Sequence, residues 1–414
     1  MTSNKPYHRR HFLAQAGAAL GTCLLSPLSF AAPLNPNTVN TNRLLVVFLR
    51  GGYDAANVLI PYASPFYYEV RPTIAIAKPD PNNPQSALAL TADWGLHPAL
   101  LDTIGALYNR REAAFIPFAG TDDLSRSHFE TQESIELGMP NQMSANLPST
   151  GRNFNSGFLN RLAQALNSSN QSIAFTDALP SIFRGEEKVA NVSLKGVGKP
   201  AFDQRQSSLL ASMYANHALE RAVREGLDLR QEIAREFEQE MQMANRGAIS
   251  AKGFELEAKR IARLMRENYQ LGFIDVGGWD THVNQGGASG ALAGNLENLG
   301  RGLAAFAQDM GGLWKQTTVV VLSEFGRTFR ENGTRGTDHG HGTVYWLLGG
   351  NVAGGQIMGA SQRMTAQTLL QNRDYPVLND YRQIFASLFQ KMYGLNQDKL
   401  NQIFPGLGSV NFTI

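Results

Sequence analysis

Leu44-Leu45-Val46-Val47-Phe48-Leu49-Arg50-Gly51-Gly52-Tyr53-Asp54 decides the fold: six apolar residues in a row, then a glycine pair and an acid. A short apolar run bounded by turn residues reads as a strand buried on both faces, the kind a parallel sheet covered by helices contains. Gly51-Gly52 lets the backbone turn tightly, so that Asp54 stands at the strand's carboxyl end. Working outward, the same pattern recurs twice. Gly272-Phe273-Ile274-Asp275-Val276 runs into Gly277-Gly278-Trp279-Asp280-Thr281-His282, and Thr318-Val319-Val320-Val321-Leu322 runs into Ser323-Glu324-Phe325-Gly326-Arg327-Thr328. A glycine- and histidine-rich stretch, Gly336-Thr337-Asp338-His339-Gly340-His341-Gly342, follows. In an open parallel α/β sheet ligands bind at the carboxyl ends of the strands. Acids and imidazoles delivered there from distant parts of the chain converge, as a metal-assisted hydrolase requires.

The remaining elements fit around these runs. Ala113 to Ala119 is a second buried strand candidate, and the loop Gly120 to Ser127 leads into a helix starting near Ser127 or His128. His97-Pro98-Ala99-Leu100 opens a helix with Pro near its first turn. Ser172 to Phe175 and Val189 to Leu194 are weaker strand candidates, and Thr343 to Leu348 is another central strand. Leu296 to Met310 reads as a helix packed on the sheet, and Asn141 to Ser156 as a polar surface loop. From about 204 to 270 acids and bases alternate with apolar residues at helical spacing, which predicts a helical insert in the form of a hairpin or cap.

With 414 residues, 43% of them hydrophobic and 17% charged, the chain can build one large α/β domain with a substantial core. Residues 1–31 stand apart. An arginine pair, Arg9-Arg10, precedes Phe12-Leu13, a mildly apolar stretch rich in Ala and Gly, and a small-residue cleavage site at Phe30-Ala31-Ala32. That is the layout of a twin-arginine signal peptide, with 32–414 as the exported domain, periplasmic or secreted, and with the twin-arginine translocase as a partner during export. Loss of Lys5, Arg9 and Arg10 leaves 34 basic against 35 acidic side chains, and no basic stripe suggests nucleic-acid binding. No later segment has the length and apolarity of a stable membrane span. The only cysteine, Cys23, lies in the leader, so any metal in the mature chain is held by oxygen and imidazole.

The candidate ligands are Asp54, Asp280, His282, Glu324, Asp338, His339 and His341. Asp280 and His282 are two apart, and in an extended segment they share a face. Short histidine-rich tracts bind metal, and of six histidines after the leader three fall in these two motifs. Ser127, at the start of a helix, is the nucleophile candidate, since backbone N–H groups there stabilise an anion. Ser127-His128-Phe129-Glu130 equally fits a capping box, and the two readings are compatible. Arg50, Arg126 and Arg327 each stand beside a motif and could clamp phosphate or sulfate oxygens. Oxygen and imidazole donors favour zinc or manganese and leave magnesium or calcium open.

These motifs, with His97-Pro98-Ala99-Leu100 and Ser127-His128-Phe129, resemble the exported domain-of-unknown-function family 1501, placed in the alkaline phosphatase and sulfatase superfamily. The resemblance runs through nearly the whole mature chain. It implies an alkaline phosphatase-like, doubly wound, mostly parallel sheet flanked by helices, with a metal site at the strand ends. By position, Asp54 resembles the first metal carboxylate and Ser127 the nucleophile. Asp280 and His282 resemble the acid and imidazole of one metal site, with His339 or His341 as its second imidazole. One departure is Phe325, which stands where the superfamily has a metal-binding histidine, so an imidazole there has to come from His341 or His128. No sulfatase-type Cys/Ser-x-Pro/Ala-x-Arg motif occurs. The resulting expectation is an exported metal-dependent hydrolase of phosphate esters, less readily of sulfate esters, acting on a small-molecule or glycan ester. Ser127, with His128 beside it, or a metal-activated water would attack. Asp54 and Glu324 would hold one ion, Asp280, His282 and His339 the other, and Arg50 or Arg327 the non-bridging oxygens. The alternative is a non-catalytic exported metal-binding protein of the same fold, acting in envelope assembly or in partner or glycan binding.

Overall fold

A computed structural model describes residues 41–140, 155–168, 171–194 and 254–414, with 209, 211–216, 219–221 and 223–224. The signal peptide, Cys23, His217, most of the Asn141–Ser156 loop and most of the helical insert lie outside these residues.

The main sheet contains β1 (Arg43–Leu49), β2 (Ala113–Gly120), β3 (Ser172–Phe175), β4 (Ala190–Asn191), β5 (Leu271–Val276), β6 (Thr317–Ser323), β7 (Thr343–Leu348), β8 (Gln356–Ile357) and β9 (Asn379–Asp380). Its order is β8-β2-β7-β6-β1-β5-β3-β4, with β9 beside β2. All pairings are parallel except those of β7, which runs antiparallel to both β2 and β6. That reversal has a functional consequence. β6 ends and β7 begins at the same edge of the sheet, so residues 324–342 stay at the carboxyl edge of the parallel strands.

The apolar run of β1 is buried on both sides because the sheet has two covered faces. Leu45, Val47 and Leu49 join one core with residues of α3 (Phe254–Glu267) and α4 (Ala291–Met310), including Ile261, Met265, Leu296 and Leu303. Leu44, Val46 and Phe48 join the other with α2 (Phe158–Leu166), α5 (Tyr381–Tyr393) and α6 (Gln397–Ile403). Alternation along a strand sends successive side chains to opposite faces, so a continuous apolar run serves both cores. The architecture is thus an α/β sandwich built on a mostly parallel sheet. Residues 254–267, the end of the expected insert, form α3 and pack on the sheet. No helix among the described residues is long and apolar enough to cross a membrane.

Candidate metal centre

Four segments bring side chains to one point on the carboxyl edge. β5 leads through Gly277-Gly278-Trp279 to Asp280 and His282. β6 leads to Glu324, Phe325 and Arg327. The loop before β7 supplies Asp338 and His339, and α1 (His128–Leu137) presents His128 from its first turn. The segments pass so closely that the glycines of the β1 turn are required. A Cβ on Gly51 (φ +123°) would lie 2.7 Å from the backbone nitrogen of Asp280, and one on Gly52 (φ +64°) 2.5 Å from the Phe325 ring. Phe325, 2% exposed, lies against the imidazoles of His128 and His339, with ring centroids 4.9 and 5.2 Å apart.

Three imidazoles meet through their Nε2 atoms. Nε2 of His339 lies 2.9 Å from Nε2 of His128 and 3.2 Å from Nε2 of His282. Asp280 Oδ1 lies 2.9 Å from His282 Nε2 and 3.3 Å from His339 Nε2, and Oδ2 lies 3.8 Å from His128 Nε2. Each Nδ1 faces a group that only accepts hydrogen bonds: Glu324 Oε1 at 2.7 Å for His128, Asp338 Oδ1 at 3.1 Å for His282, the Arg126 carbonyl at 3.2 Å for His339. Those acceptors favour a proton on Nδ1 of each neutral ring, an arrangement in which three Nε2 lone pairs face one another beside a carboxylate. Lone pairs so placed repel unless a cation lies among them. His282 alone has a donor nearby, Arg327 Nη1 at 3.3 Å. Donor atoms about 2.0–2.1 Å from a tetrahedral ion are roughly 3.3 Å apart, close to the separations here. His128, Asp280 and His339 have ligand atoms all within 4.8 Å of one another, and His282 Nε2 lies 2.9 Å from Asp280 Oδ1 and 3.2 Å from His339 Nε2. The donor set thus fits a divalent ion that accepts imidazole.

The surrounding groups hold these rings as second ligands of a metal site do. Burial pushes the Glu324 carboxyl upward, but hydrogen bonds from His128 and Gln132 outweigh it and keep it below the usual range. Gln132 Nε2 donates to Oε1 at 2.8 Å, the Gly51 N–H to the same oxygen at 2.9 Å, and the Ser323 hydroxyl to Oε2 at 2.8 Å. Burial likewise opposes ionisation of Asp280, and the Arg327 guanidinium outweighs it. Burial and the neighbouring His128 lower the pKa of His339, favouring its neutral, ligating form.

The expected site residues divide. Asp280, His282, Glu324, Asp338 and His339 meet at the cluster, three of them in contact with one another and the two outer acids behind their imidazoles. His128, expected beside the nucleophile, stands among the Nε2 atoms of the cluster, with its ring against Phe325. His341 points elsewhere: it is 6% exposed and bonded to the Asp123 backbone, and burial, then Arg126, lower its pKa to about 4. Asp54 is 1% exposed, and its carboxylate is bound by Arg71 and Gln285. Glu324 likewise has both oxygens engaged by protein donors. Arg327 is no free clamp. It ties the strand-end loops together, donating to the carbonyls of Gly51 (2.9 Å), Thr337 (3.0 Å) and Gly52 and to Asp280. Arg50 pairs with Glu136 at 2.7 Å and lies over the Phe48 ring, and Arg126 pairs with Asp374 at 2.7 Å. Ser127 caps α1, its hydroxyl accepting from the Glu130 N–H at a long 3.5 Å. Sequence reasoning missed Gln132, Arg71 and Gln285. The first is one turn beyond His128, a signal that could have found it; the other two sit in no motif.

The chain matches the model of the protein family of unknown function DUF1501 over residues 41–404. No curated protein matches it in sequence. Similar solved structures include a protein in the alkaline phosphatase superfamily from Vibrio parahaemolyticus, at 10% identity and TM-score 0.37, covering 85% of this chain and 66% of that one. The chain thus spans just under two thirds of that protein. The lipoteichoic acid synthase LtaP from Listeria monocytogenes is similar at 10% identity and TM-score 0.39, covering 87% and 76%. The C-terminal periplasmic domain of EcEptC from Escherichia coli, solved as a zinc complex, is similar at 11% identity and TM-score 0.39, covering 89% and 88%.

Proposed function

The chain belongs to the DUF1501 family, and from that premise and the geometry of the cluster we propose an exported, metal-dependent hydrolase of phosphate esters, with sulfate esters less favoured. One observation carries the reading: three imidazoles, each with Nδ1 facing an acceptor, bring their Nε2 atoms together beside the Asp280 carboxylate. Imidazole-rich donors favour zinc, with manganese next, over magnesium or calcium, which prefer oxygen. A divalent ion held there supplies Lewis acidity toward a phosphoryl oxygen and an attacking hydroxyl.

The chain's own residues do the rest. His128, His282, His339 and Asp280 hold the ion, while Glu324, Asp338 and the Arg126 carbonyl fix ring orientation. Phe325 closes the inner side against water. The Asp280 side chain is 47% exposed, so the centre opens toward solvent, where a substrate ester can enter. Ser127 stands one residue before His128, and a bond as long as its cap holds the hydroxyl weakly. That supports attack by the Ser127 oxygen on phosphorus, its proton leaving to solvent as the bond from phosphorus to the leaving alkoxide breaks and the alkoxide takes a proton from water. Water then hydrolyses the phosphoserine ester and frees phosphate. Direct attack by water is the other route. The leader of 1–31, with its Arg9-Arg10 pair ahead of a mildly apolar stretch, supports export by the twin-arginine route.

A second reading, a non-catalytic exported metal-binding protein acting in envelope assembly or in partner or glycan binding, is favoured by the use of Ser127 as a helix cap. A panel of aryl phosphate, phosphodiester and aryl sulfate esters, with zinc, manganese, magnesium and calcium supplied in turn, separates the two. The hydrolase reading expects turnover that disappears in Asp280→Asn and falls in Ser127→Ala. Bound metal with no turnover on any ester would support the second reading instead.

A further inference from the structure

Behind the histidine cluster lies a buried charge that needs a counter-ion. Asp54 is 1% exposed and Arg71 fully buried. The guanidinium spends all five N–H donors on protein oxygens. Nη1 donates to Asp54 Oδ2 at 2.6 Å and to Asn57 Oδ1 at 3.0 Å, and Nη2 to Asp54 Oδ1 and to the Thr328 carbonyl, each at 3.0 Å. Nε donates to the Phe329 carbonyl at 2.7 Å. Gln285 Nε2 adds a donor to Asp54 Oδ2 at 2.6 Å. The rings of Tyr67 and Phe329 flank the cation, with its Cζ 5.6 and 5.5 Å from their centroids.

A carboxylate taken out of water needs a cation, which either a metal or a basic side chain can supply. Around Arg71 the protein has assembled a carboxylate, an amide oxygen and two backbone carbonyls, a set of oxygens of the kind that surrounds a hard cation. The chain fills that cage with its own guanidinium. Both Asp54 oxygens are then committed, and the bidentate fork leaves none facing an ion. Glu324, the other acid that such a site would need, is fully hydrogen-bonded behind His128.

We propose that Arg71 is a built-in counter-cation that withdraws Asp54 from metal binding, so that this edge of the sheet takes one divalent ion per chain, on the histidine side. The proposal rests on the reading of the histidine cluster as a metal site. The ion pair also ties the β1 turn to the segment after Arg327, which makes Arg71 and Asp54 positioning residues.

The test is zinc stoichiometry. Full-length protein is loaded with zinc, freed of excess and analysed for metal, beside Asp54→Asn and the double variant Asp54→Asn with Arg71→Met. The double variant removes both charges together, so it keeps the test meaningful if the single variant fails to fold. The expected result is about one zinc per chain in the wild type and in the double variant, with dissociation constants within roughly threefold of each other. Two zinc ions in the wild type, or loss of zinc in the folded double variant, overturns the proposal while leaving the histidine site standing. A wild type that binds no zinc overturns it together with the proposed function.

Discussion

At the scale of single residues, the difference between holding an ion and holding a ligand decides most roles. Glu324 touches His128 and not the open face of the cluster. Glu324→Gln should therefore leave the protein folded and lower zinc affinity about 10–100-fold, as loss of an outer-shell partner does; a zinc titration followed by a competing chelator reads this directly. Ser127 has two separable roles. As a cap its loss in Ser127→Ala should cost about 1 kcal/mol in chemical denaturation and leave zinc content unchanged. As nucleophile its loss should lower turnover without moving zinc content. Arg71→Met alone, which strands a buried carboxylate, should cost about 3–5 kcal/mol of stability. A much smaller loss in urea unfolding would show that Asp54 has another counter-charge.

At the scale of elements, the cluster depends on how closely the strand-end loops approach. Gly52 holds φ +64° with Phe325 against its α-carbon. Gly52→Ala should destabilise the fold by about 1–3 kcal/mol and weaken zinc binding, because Phe325 must move and it supports the rings of His128 and His339. Unchanged zinc affinity would mean that Phe325 does not set those rings. The elements also show what was legible beforehand. Asp280, His282, Glu324 and His339 could be read because each follows an apolar run or a glycine turn that marks the sheet edge. The direction of β7 could not, since a strand buried on both faces has the same residue pattern in either direction. That hidden reversal is what keeps His339 at the site. His341, two residues on and the other candidate for the second imidazole, is buried and bonded to the Asp123 backbone instead. Arg71 was illegible for a different reason. It lies between Val70 and Pro72, in a stretch with no periodicity, and its significance comes entirely from contacts distant in sequence.

At the scale of the whole molecule, two covered faces explain why so many strands are apolar throughout, and the open carboxyl edge explains why the chemistry collects there. The fold class was readable from Leu44 to Asp54 because only a parallel sheet between helix layers uses such runs repeatedly. The donor set was readable only in part. Its acids and imidazoles were named, yet their division into ion holders, ring holders and a self-neutralised pair depends on distances that spacing does not contain. The central claim is that imidazole nitrogens of distant segments bind one ion. Zinc K-edge X-ray absorption on the zinc-loaded full-length protein tests it most directly. The expected spectrum shows nitrogen and oxygen neighbours at about 2.0–2.1 Å with the outer-shell scattering of two or three imidazoles, lost in His128→Ala with His339→Ala. A shell of oxygens alone, or a spectrum indifferent to those substitutions, would contradict it.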